Sequence, residues 1–477
     1  MIRVPGLWLV VVLFALTFEG CGGSIASPPP PPGSTPGLQA ISPNGSQQGG
    51  PAVTLSLVGS NFITSSKARW NGTDLPTTYV NSSLLTARVP VSALAAAGPD
   101  SITVANPGAG SSNAMNFEVP CVIDPPGPAA AQTKARVGAY YFDGWSGPLT
   151  NFHFNGMPLG LYQDREPLSA WQDSEGCAVE QQLAQAHNVG IDFFVFDWYF
   201  NTTVTANGEN LNSALQLTHA LPNKHGMQYA ILYVTGPPFD VDPSNWSSAV
   251  SEWVGYMTDP AYLRINGLPV LFIINVGSMR QVWGSAAAVI GALGQLRSAA
   301  QAQGLGGVYV VGGFGVPDGT MGQASLGAGF SIAGTDGYDA IAFYGYPFAP
   351  PAVNGSLPFS MLAQAGQWTW DQAAQSSPLP FIPTAMSGWD PRPWNEVEPN
   401  TGDLMWYTRS PAEVTQFISD SIDWTLTNPQ LRLEAPPTPP LVLIEAWNEF
   451  GEGSYILPTK GSGTSYGDAI GAMLLGP

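Results

Sequence analysis

Charge is what this chain has least of. Only 10% of its 477 residues are charged, and the basic ones are the scarcer, 15 against 34 acidic, for a formal net charge of −19. An acidic surface repels phosphate backbones, which excludes nucleic acid as a partner. Histidine is rarer still. The four histidines, His153, His187, His219 and His225, show no metal-ligand spacing, so no metal and no cofactor are expected. None follows His225. Gly463-Thr464-Ser465-Tyr466-Gly467 fits the G-x-S-x-G pattern, but the order Ser…Asp…His of the hydrolases that use it fails here. The apolar run Leu7 to Phe18 is too short to span a bilayer.

That run instead reads as an export signal, with Arg3 as its positive start. It leads into Phe18-Glu19-Gly20-Cys21-Gly22-Gly23-Ser24, which resembles a bacterial lipoprotein cleavage site. Residues 1–20 are then the signal peptide and Cys21 the lipid-bearing first residue. A lipid chain there would hold the protein at the outer membrane surface without a spanning helix. Simple cleavage and secretion is the other outcome. Cysteine is otherwise limited to Cys121 and Cys177. In an oxidising compartment these two form a disulfide or stand as two unrelated thiols.

What is abundant is Gly (55), Pro (45) and hydrophobic residues (44%), a profile of a loop-rich exported protein with a large core. Residues 21–37 include PPPPPGSTPG and form a stiff tether. Residues 38–119 alternate in short strands: Val53 to Val58, Ala68 to Trp70, Leu84 to Val89, Ser101 to Ala105 and Asn113 to Val119. Asn71-Gly72 is a hairpin signal. A small β-sandwich is expected. Residues 120–134, with DPPGPAAA, form a linker.

The remainder, 135–477, alternates apolar strands with helical stretches. The strands are Val137 to Phe142, Phe193 to Phe196, Tyr229 to Tyr233 and Val270 to Ile274, then Val308 to Val311, Ala340 to Phe343, Phe381 to Ala385 and Leu441 to Glu445. Eight strands with helices between them have the rhythm of an α/β (β/α)8 TIM barrel. A monomer is expected.

In such a barrel, site residues follow the strands. Tyr141, Asp143 and Trp145 accompany the first strand; Asp197, Trp198 and Tyr199 the second; Tyr233 the third; Asn275 the fourth. Tyr344 and Tyr346 follow the sixth, and Trp389, Asp390, Arg392 and Trp394 the seventh. The last strand runs into Trp447, Asn448, Glu449 and Glu452. Aromatic rings stack on sugars, and Asp, Asn and Arg bind hydroxyls. Glu449 and Glu452 share one face if the segment turns helically, with Cβ atoms roughly 5–6 Å apart. That is close to the separation of about 5–5.5 Å between the carboxyls of retaining glycosidases.

The order P-x-G…V-x-L-x-G-x-N-F…A-R-W-N-G…L-T-A-R-V-P…F-E-V resembles the immunoglobulin-like IPT/TIG module, which implies a spacer or adhesive sandwich. The pieces YYFDGW, GIDFFVFDWYF, GWDPRPW and AWNEFGEGSYILP, in this order, resemble glycoside hydrolase family 99 and its WbsX-like relatives. That resemblance implies an endo-acting, retaining α-mannosidase whose N-E-x-x-E pair maps onto Glu449 and Glu452. By it, Glu449 deprotonates the sugar's 2-hydroxyl, which attacks the anomeric carbon. Glu452 protonates the departing oxygen and then activates water. The third strand, YAILYVTGPP, lacks the acid these families carry nearby. A non-catalytic glycan-binding or adhesion protein is therefore the alternative.

Overall fold

The computed structural model describes residues 34–46, 48–95, 98–119, 134–146, 153, 162–168, 176–200, 210–314, 323–345, 355–393 and 405–476. The signal peptide, Cys21, most of the tether, Cys121, Tyr346 and Trp394 lie outside them. The chain divides into two compact units, Met1–Cys121 and Val122–Pro477.

The first unit is a sandwich of two antiparallel sheets. One orders its strands Gly37–Ser42, Val53–Ser60, Leu84–Val89 and Thr77–Asn81. The other joins Thr73–Asp74, Lys67–Trp70, Gly98–Asn106 and Gly110–Ser111, with Met115–Val119 also paired to Gly98–Asn106. Alternate residues turn inward: Leu55, Leu57, Leu85, Val104 and Phe117 are fully buried. Asn71 and Gly72 both take positive φ (47° and 84°), the geometry that a two-residue hairpin turn demands.

The second unit is a (β/α)8 barrel. Its strands are β1 (Arg136–Tyr141), β2 (Phe193–Trp198), β3 (Gln228–Tyr233), β4 (Leu268–Ile273), β5 (Tyr309–Gly312) and β6 (Ala340–Ala342). Then come β7, in two pieces (Phe381–Ile382 and Thr384–Met386), and β8 (Leu441–Glu445). All neighbouring pairs are parallel. The ring closes through the broken seventh strand: its first piece pairs with β6 and its second with β8. Pro383 marks the break. It has no N–H to give the ladder, but its carbonyl still accepts from Leu443 N at 3.0 Å.

Helices cover the outside: α1 (Gly176–Asn188), α2 (Ser213–Ala220), α3 (Trp246–Met257), α4 (Val276–Trp283), α5 (Ala286–Ala302), α6 (Gln323–Thr335), α7 (Phe359–Ser376), α8 (Pro411–Thr427) and α9 (Ser465–Leu474). Their starts follow from sequence. Ser410 caps α8 with Pro411 at its first position, and its hydroxyl donates to Glu413 at 2.6 Å. Asn275, read from sequence as a strand-end site residue, is the cap of α4 and accepts from Gly277 N at 2.8 Å. Ser465 begins α9. Strands buried on both faces explain the near-continuous apolar runs Phe193–Phe196 and Leu441–Ile444.

Candidate active site

Side chains alternate along a strand between the barrel interior and the helix layer. That period sorts the strand-end residues. Tyr141 packs on Phe196 at 4.6 Å between ring centres, and Trp447 on Phe194, its indole N–H donating to Gln182 of α1. The Trp198 N–H donates to Glu252 of α3, and the ring meets Trp253, as does that of Tyr233. The Tyr233 hydroxyl accepts from Val241 N. All four rings pack into the strand–helix core: Tyr141, Trp198 and Tyr233 stand on the outward register of their strands, and Trp447 lies just beyond the end of β8.

Three further residues read as sugar ligands serve the scaffold. The Asp143 carboxylate accepts from Ala214 N at 2.7 Å and Leu215 N at 3.2 Å, at the positive start of α2. Asn448 exchanges two hydrogen bonds with the Phe142 backbone, each 2.9 Å, and its carbonyl accepts from the Trp145 indole. Trp145 itself is buried against Phe142 and Phe450. Asn448 and Trp145 hold the end of β1 to the segment after β8, and Asp143 holds it to α2.

The inward register brings together Tyr140, Asp197, Tyr199, Tyr344, Glu445, Glu449 and Glu452. The Tyr344 hydroxyl lies 2.8 Å from Glu449 Oε1 and 3.1 Å from Asp197 Oδ2. A hydroxyl has one proton, so Tyr344 donates to one carboxylate and accepts from the other only if that one is protonated. The Tyr140 ring packs on that of Tyr344 at 4.7 Å. Its hydroxyl and that of Thr384 both donate to the Phe343 carbonyl.

Glu449 and Glu452 do not sit on a helical turn. Asn448–Glu449 pairs antiparallel with Ser454–Tyr455, and residues 450–453 make the turn of this small hairpin. The turn keeps Glu452 close enough for its charge to raise the Glu449 carboxyl. Glu449 is buried and Glu452 partly exposed.

Burial is the main force on all these groups. It pushes the Glu452 carboxyl up to about 7. It drives Glu449 well above the carboxylate range, with repulsion from Glu452, Asp197 and Glu445 adding and the Tyr344 hydrogen bond opposing. Asp197 is raised by burial and by Glu452, against hydrogen bonding from Tyr344. Glu445 is raised by burial, then by Glu452. Four acids in one interior cannot all ionise cheaply.

The hairpin is held by two arginines. Arg165 donates to the Phe450 carbonyl at 2.7 Å and the Asp390 carbonyl at 3.1 Å, and pairs with the Asp390 carboxylate. Arg409 donates to the carbonyls of Ser387 (2.9 Å) and Tyr455 (2.6 Å), lying over the Tyr455 and Tyr466 rings. The Asp390 N–H donates to the Glu452 carbonyl. Asp390 and Arg392, read as sugar ligands, are paired to each other at 2.7 Å, and Arg392 lies over the Trp406 ring. Burial raises the Asp390 carboxyl, but Arg392 and Arg165 outweigh it and hold the group below its ordinary value. Trp389 is half-buried beside them. Gly453 takes φ +72°, and a Cβ there would meet the Asp390 Cβ at 2.6 Å, so only glycine fits this contact.

Sequence reading missed Glu445, Arg165 and Arg409, while Tyr140 stands in the first strand beside Tyr141 among the strand-end aromatics. Strict alternation would have found the first, an acid closing an apolar strand. Cys177 is disulfide-bonded. Among the described residues, no group of three or more His, Cys, Asp or Glu is placed to hold a metal. A groove lined by Trp246, Val250, Val254 and Gln295 lies between α3 and α5 and contains no acid.

A family model described as glycosyltransferase WbsX matches residues 239–470, and one described as IPT/TIG domain matches residues 36–119. Both agree with the resemblances read from the motifs. Among solved structures, the chain is similar to the family 99 endo-α-mannosidase of Bacteroides thetaiotaomicron. Identity is 14% over 68% of this chain and 88% of that one, with a TM-score of 0.43. It is also similar to the exo-β-1,4-mannosidase Op5Man5 of Opitutaceae bacterium strain TAV5: 12% identity, 74% and 61% covered, TM-score 0.40. Likenesses this distant carry no argument about activity. No curated protein matches the chain.

Proposed function

We propose that this chain, which carries a WbsX-type barrel behind an IPT/TIG sandwich, is an exported glycoside hydrolase. Its substrate is an α-linked, mannoside-type polysaccharide cleaved with retention. The carrying observation is the pairing of Glu449, held by Tyr344, with Glu452, whose carboxyl sits near 7. A group with that pKa can both give and take a proton at neutral pH. Glu452, the more exposed of the two, protonates the leaving oxygen and then activates water. Glu449, once ionised, accepts the proton of the sugar's 2-hydroxyl, which closes on the anomeric carbon. The Tyr344 hydroxyl stabilises its charged form. Arg165 and Arg409 position the hairpin that carries both acids. Signal cleavage and lipidation at Cys21 would place the enzyme at the cell envelope, and the sandwich would serve as its spacer. We take it to act as a monomer.

Product analysis of the purified protein on α-mannan and related bacterial polysaccharides tests this reading. The expected result is released oligosaccharide whose new reducing end first appears as the α-anomer by proton NMR. Binding without release across the panel would instead identify a glycan-binding surface protein.

A further inference from the structure

The Tyr344 hydroxyl touches two carboxyl groups, Glu449 Oε1 at 2.8 Å and Asp197 Oδ2 at 3.1 Å. Its ring is held between them. It packs on the Tyr140 ring at 4.7 Å, and the Tyr140 hydroxyl donates to the carbonyl of Phe343, the residue before Tyr344. A hydroxyl has one proton to give, so two contacts of this length call for a second proton on one of the acids.

Four protonation patterns are open to this trio, and a working base leaves one. With both acids ionised, their charges share a single donor in an interior that also holds Glu452 and Glu445. With both protonated, nothing accepts the proton of a substrate hydroxyl. With the proton on Glu449, Tyr344 donates to Asp197 and the base is blocked. The remaining pattern puts the proton on Asp197, which donates to Tyr344 Oη, while Tyr344 donates to an ionised Glu449. The distances fit that order, because a hydrogen bond to a charged acceptor is shorter than one between neutral groups. Burial fits it too: Asp197 is 2% exposed and Glu449 6%.

The groups around Asp197 favour its neutral form. It is faced by Tyr140 of β1, Tyr199 after β2, Tyr344 after β6, Glu445 of β8 and Glu452 of the hairpin. Burial raises its carboxyl well above the ordinary value and Glu452 adds to this, against hydrogen bonding from Tyr344 and Tyr199. Glu449 is faced by Glu452, Asp197, Glu445, Tyr344 and Tyr199, and an ionised Asp197 would raise it further.

We propose that Asp197 is a positioning residue: it keeps its proton, donates it to Tyr344 and so commits the Tyr344 hydroxyl to Glu449. The inference rests on the reading of Glu449 as the base. It supplies that reading with a reason for a buried carboxylate to be charged among three other acids. A neutral Asp197 adds no repulsion, and a donor behind Tyr344 polarises its hydroxyl and strengthens the bond to Glu449. During the reaction the proton of the sugar hydroxyl passes to Glu449, while those of Tyr344 and Asp197 stay in place.

Asp197→Asn keeps a neutral donor at the same position; Asp197→Leu keeps the bulk and removes the donor. The acid limb of kcat/KM against pH, measured on α-mannan, reads the ionisation of Glu449. Its midpoint is expected to stay within about 0.3 pH unit in Asp197→Asn and to rise by about 0.5–1 unit in Asp197→Leu, where the charge on Glu449 loses support. A midpoint that falls by about one unit or more in Asp197→Asn means that a charge was removed, and overturns the inference. Midpoints unmoved in both variants, with only kcat lowered, mark a structural role and overturn it as well. Infrared difference spectra at neutral pH, unsubstituted protein minus Asp197→Asn, need no substrate. They should show the carbonyl band of a protonated carboxyl; a carboxylate band in its place overturns the inference. That carbonyl band together with no cleavage of any glycan sinks the hydrolase reading alone. Melting curves show whether Asp197→Leu folds; if it does not, the Asp197→Asn midpoint and the infrared band decide.

Discussion

The Tyr344 hydroxyl stands 2.8 Å from Glu449 Oε1, linking the end of the sixth strand to the hairpin that follows the eighth. It is the direct contact that the rest of the barrel makes with the carboxylate proposed as base. Tyr344→Phe keeps the ring against Tyr140 and removes only the donor. We expect kcat to fall by about 10–100-fold, less than the loss of a proton-transfer group itself, because Tyr344 acts through Glu449. Stability should fall by about 1–3 kcal/mol, because Glu449 and Asp197 lose a buried partner. Steady-state kinetics and denaturant titration measure the two effects; an unchanged kcat contradicts the assignment.

Stability should fall as pH rises. Glu445, Glu449, Glu452 and Asp197 all have raised folded-state pKa values. The native chain then binds more protons than the unfolded one, so the stabilisation is complete below the ordinary carboxylate value and is lost as pH rises through the folded values, about 7 for Glu452. Asp390 acts oppositely, since its lowered pKa contributes stability that disappears at acid pH. Melting temperatures measured from about pH 5 to about pH 8 should decline. Glu445→Gln should flatten that slope by removing one of the buried acids. A melting temperature that climbs over this range contradicts the prediction.

Arg165 positions the hairpin from a distant part of the chain. Arg165→Met leaves the Phe450 carbonyl without its donor and Asp390 with Arg392 alone. The expected cost is about 1–3 kcal/mol of stability. The turnover loss should exceed the loss in substrate affinity, since the acids and not the rest of the lumen are displaced. A change confined to KM would show that Arg165 does not orient the pair.

Gly453→Ala combines an unfavourable φ of +72° with a contact of 2.6 Å to the Asp390 Cβ. The substitution should cost at least about 1–2 kcal/mol from the backbone conformation alone. It should also lower activity by moving Glu452, whose carbonyl accepts from Asp390 N. Thermal melting and glycan cleavage, read together, check both.

Much of the barrel was legible because strands buried on both faces write themselves as apolar runs, and each of the eight runs became a strand. The break at Pro383 was not visible as the point of closure, since pairing of one strand's halves with two different partners is a long-range property. Glu449 and Glu452 stood out by spacing, but their hairpin did not, because the local pattern of Gly451 and Gly453 allows either turn. Tyr141, Trp198, Tyr233 and Trp447 were misplaced by treating every strand-end aromatic as inward. Period-two alternation assigns Tyr141, Trp198 and Tyr233 to the helix layer and Tyr140 and Glu445 to the interior; Trp447 would fall on the Glu445 face by that count, but it lies beyond the end of β8 and packs on Phe194. Arg165 and Arg409 left no signal, as their partners are backbone carbonyls brought near only by folding.

The most direct measurement of the account is the cleavage rate of a responsive polysaccharide by Glu452→Gln, compared with the unsubstituted enzyme at its optimal pH. The amide keeps the size of the side chain and cannot exchange the proton. The account predicts a fall of at least about 100-fold, as expected for losing a general acid and base, with binding and the melting curve preserved. A rate equal to that of the unsubstituted enzyme would contradict it.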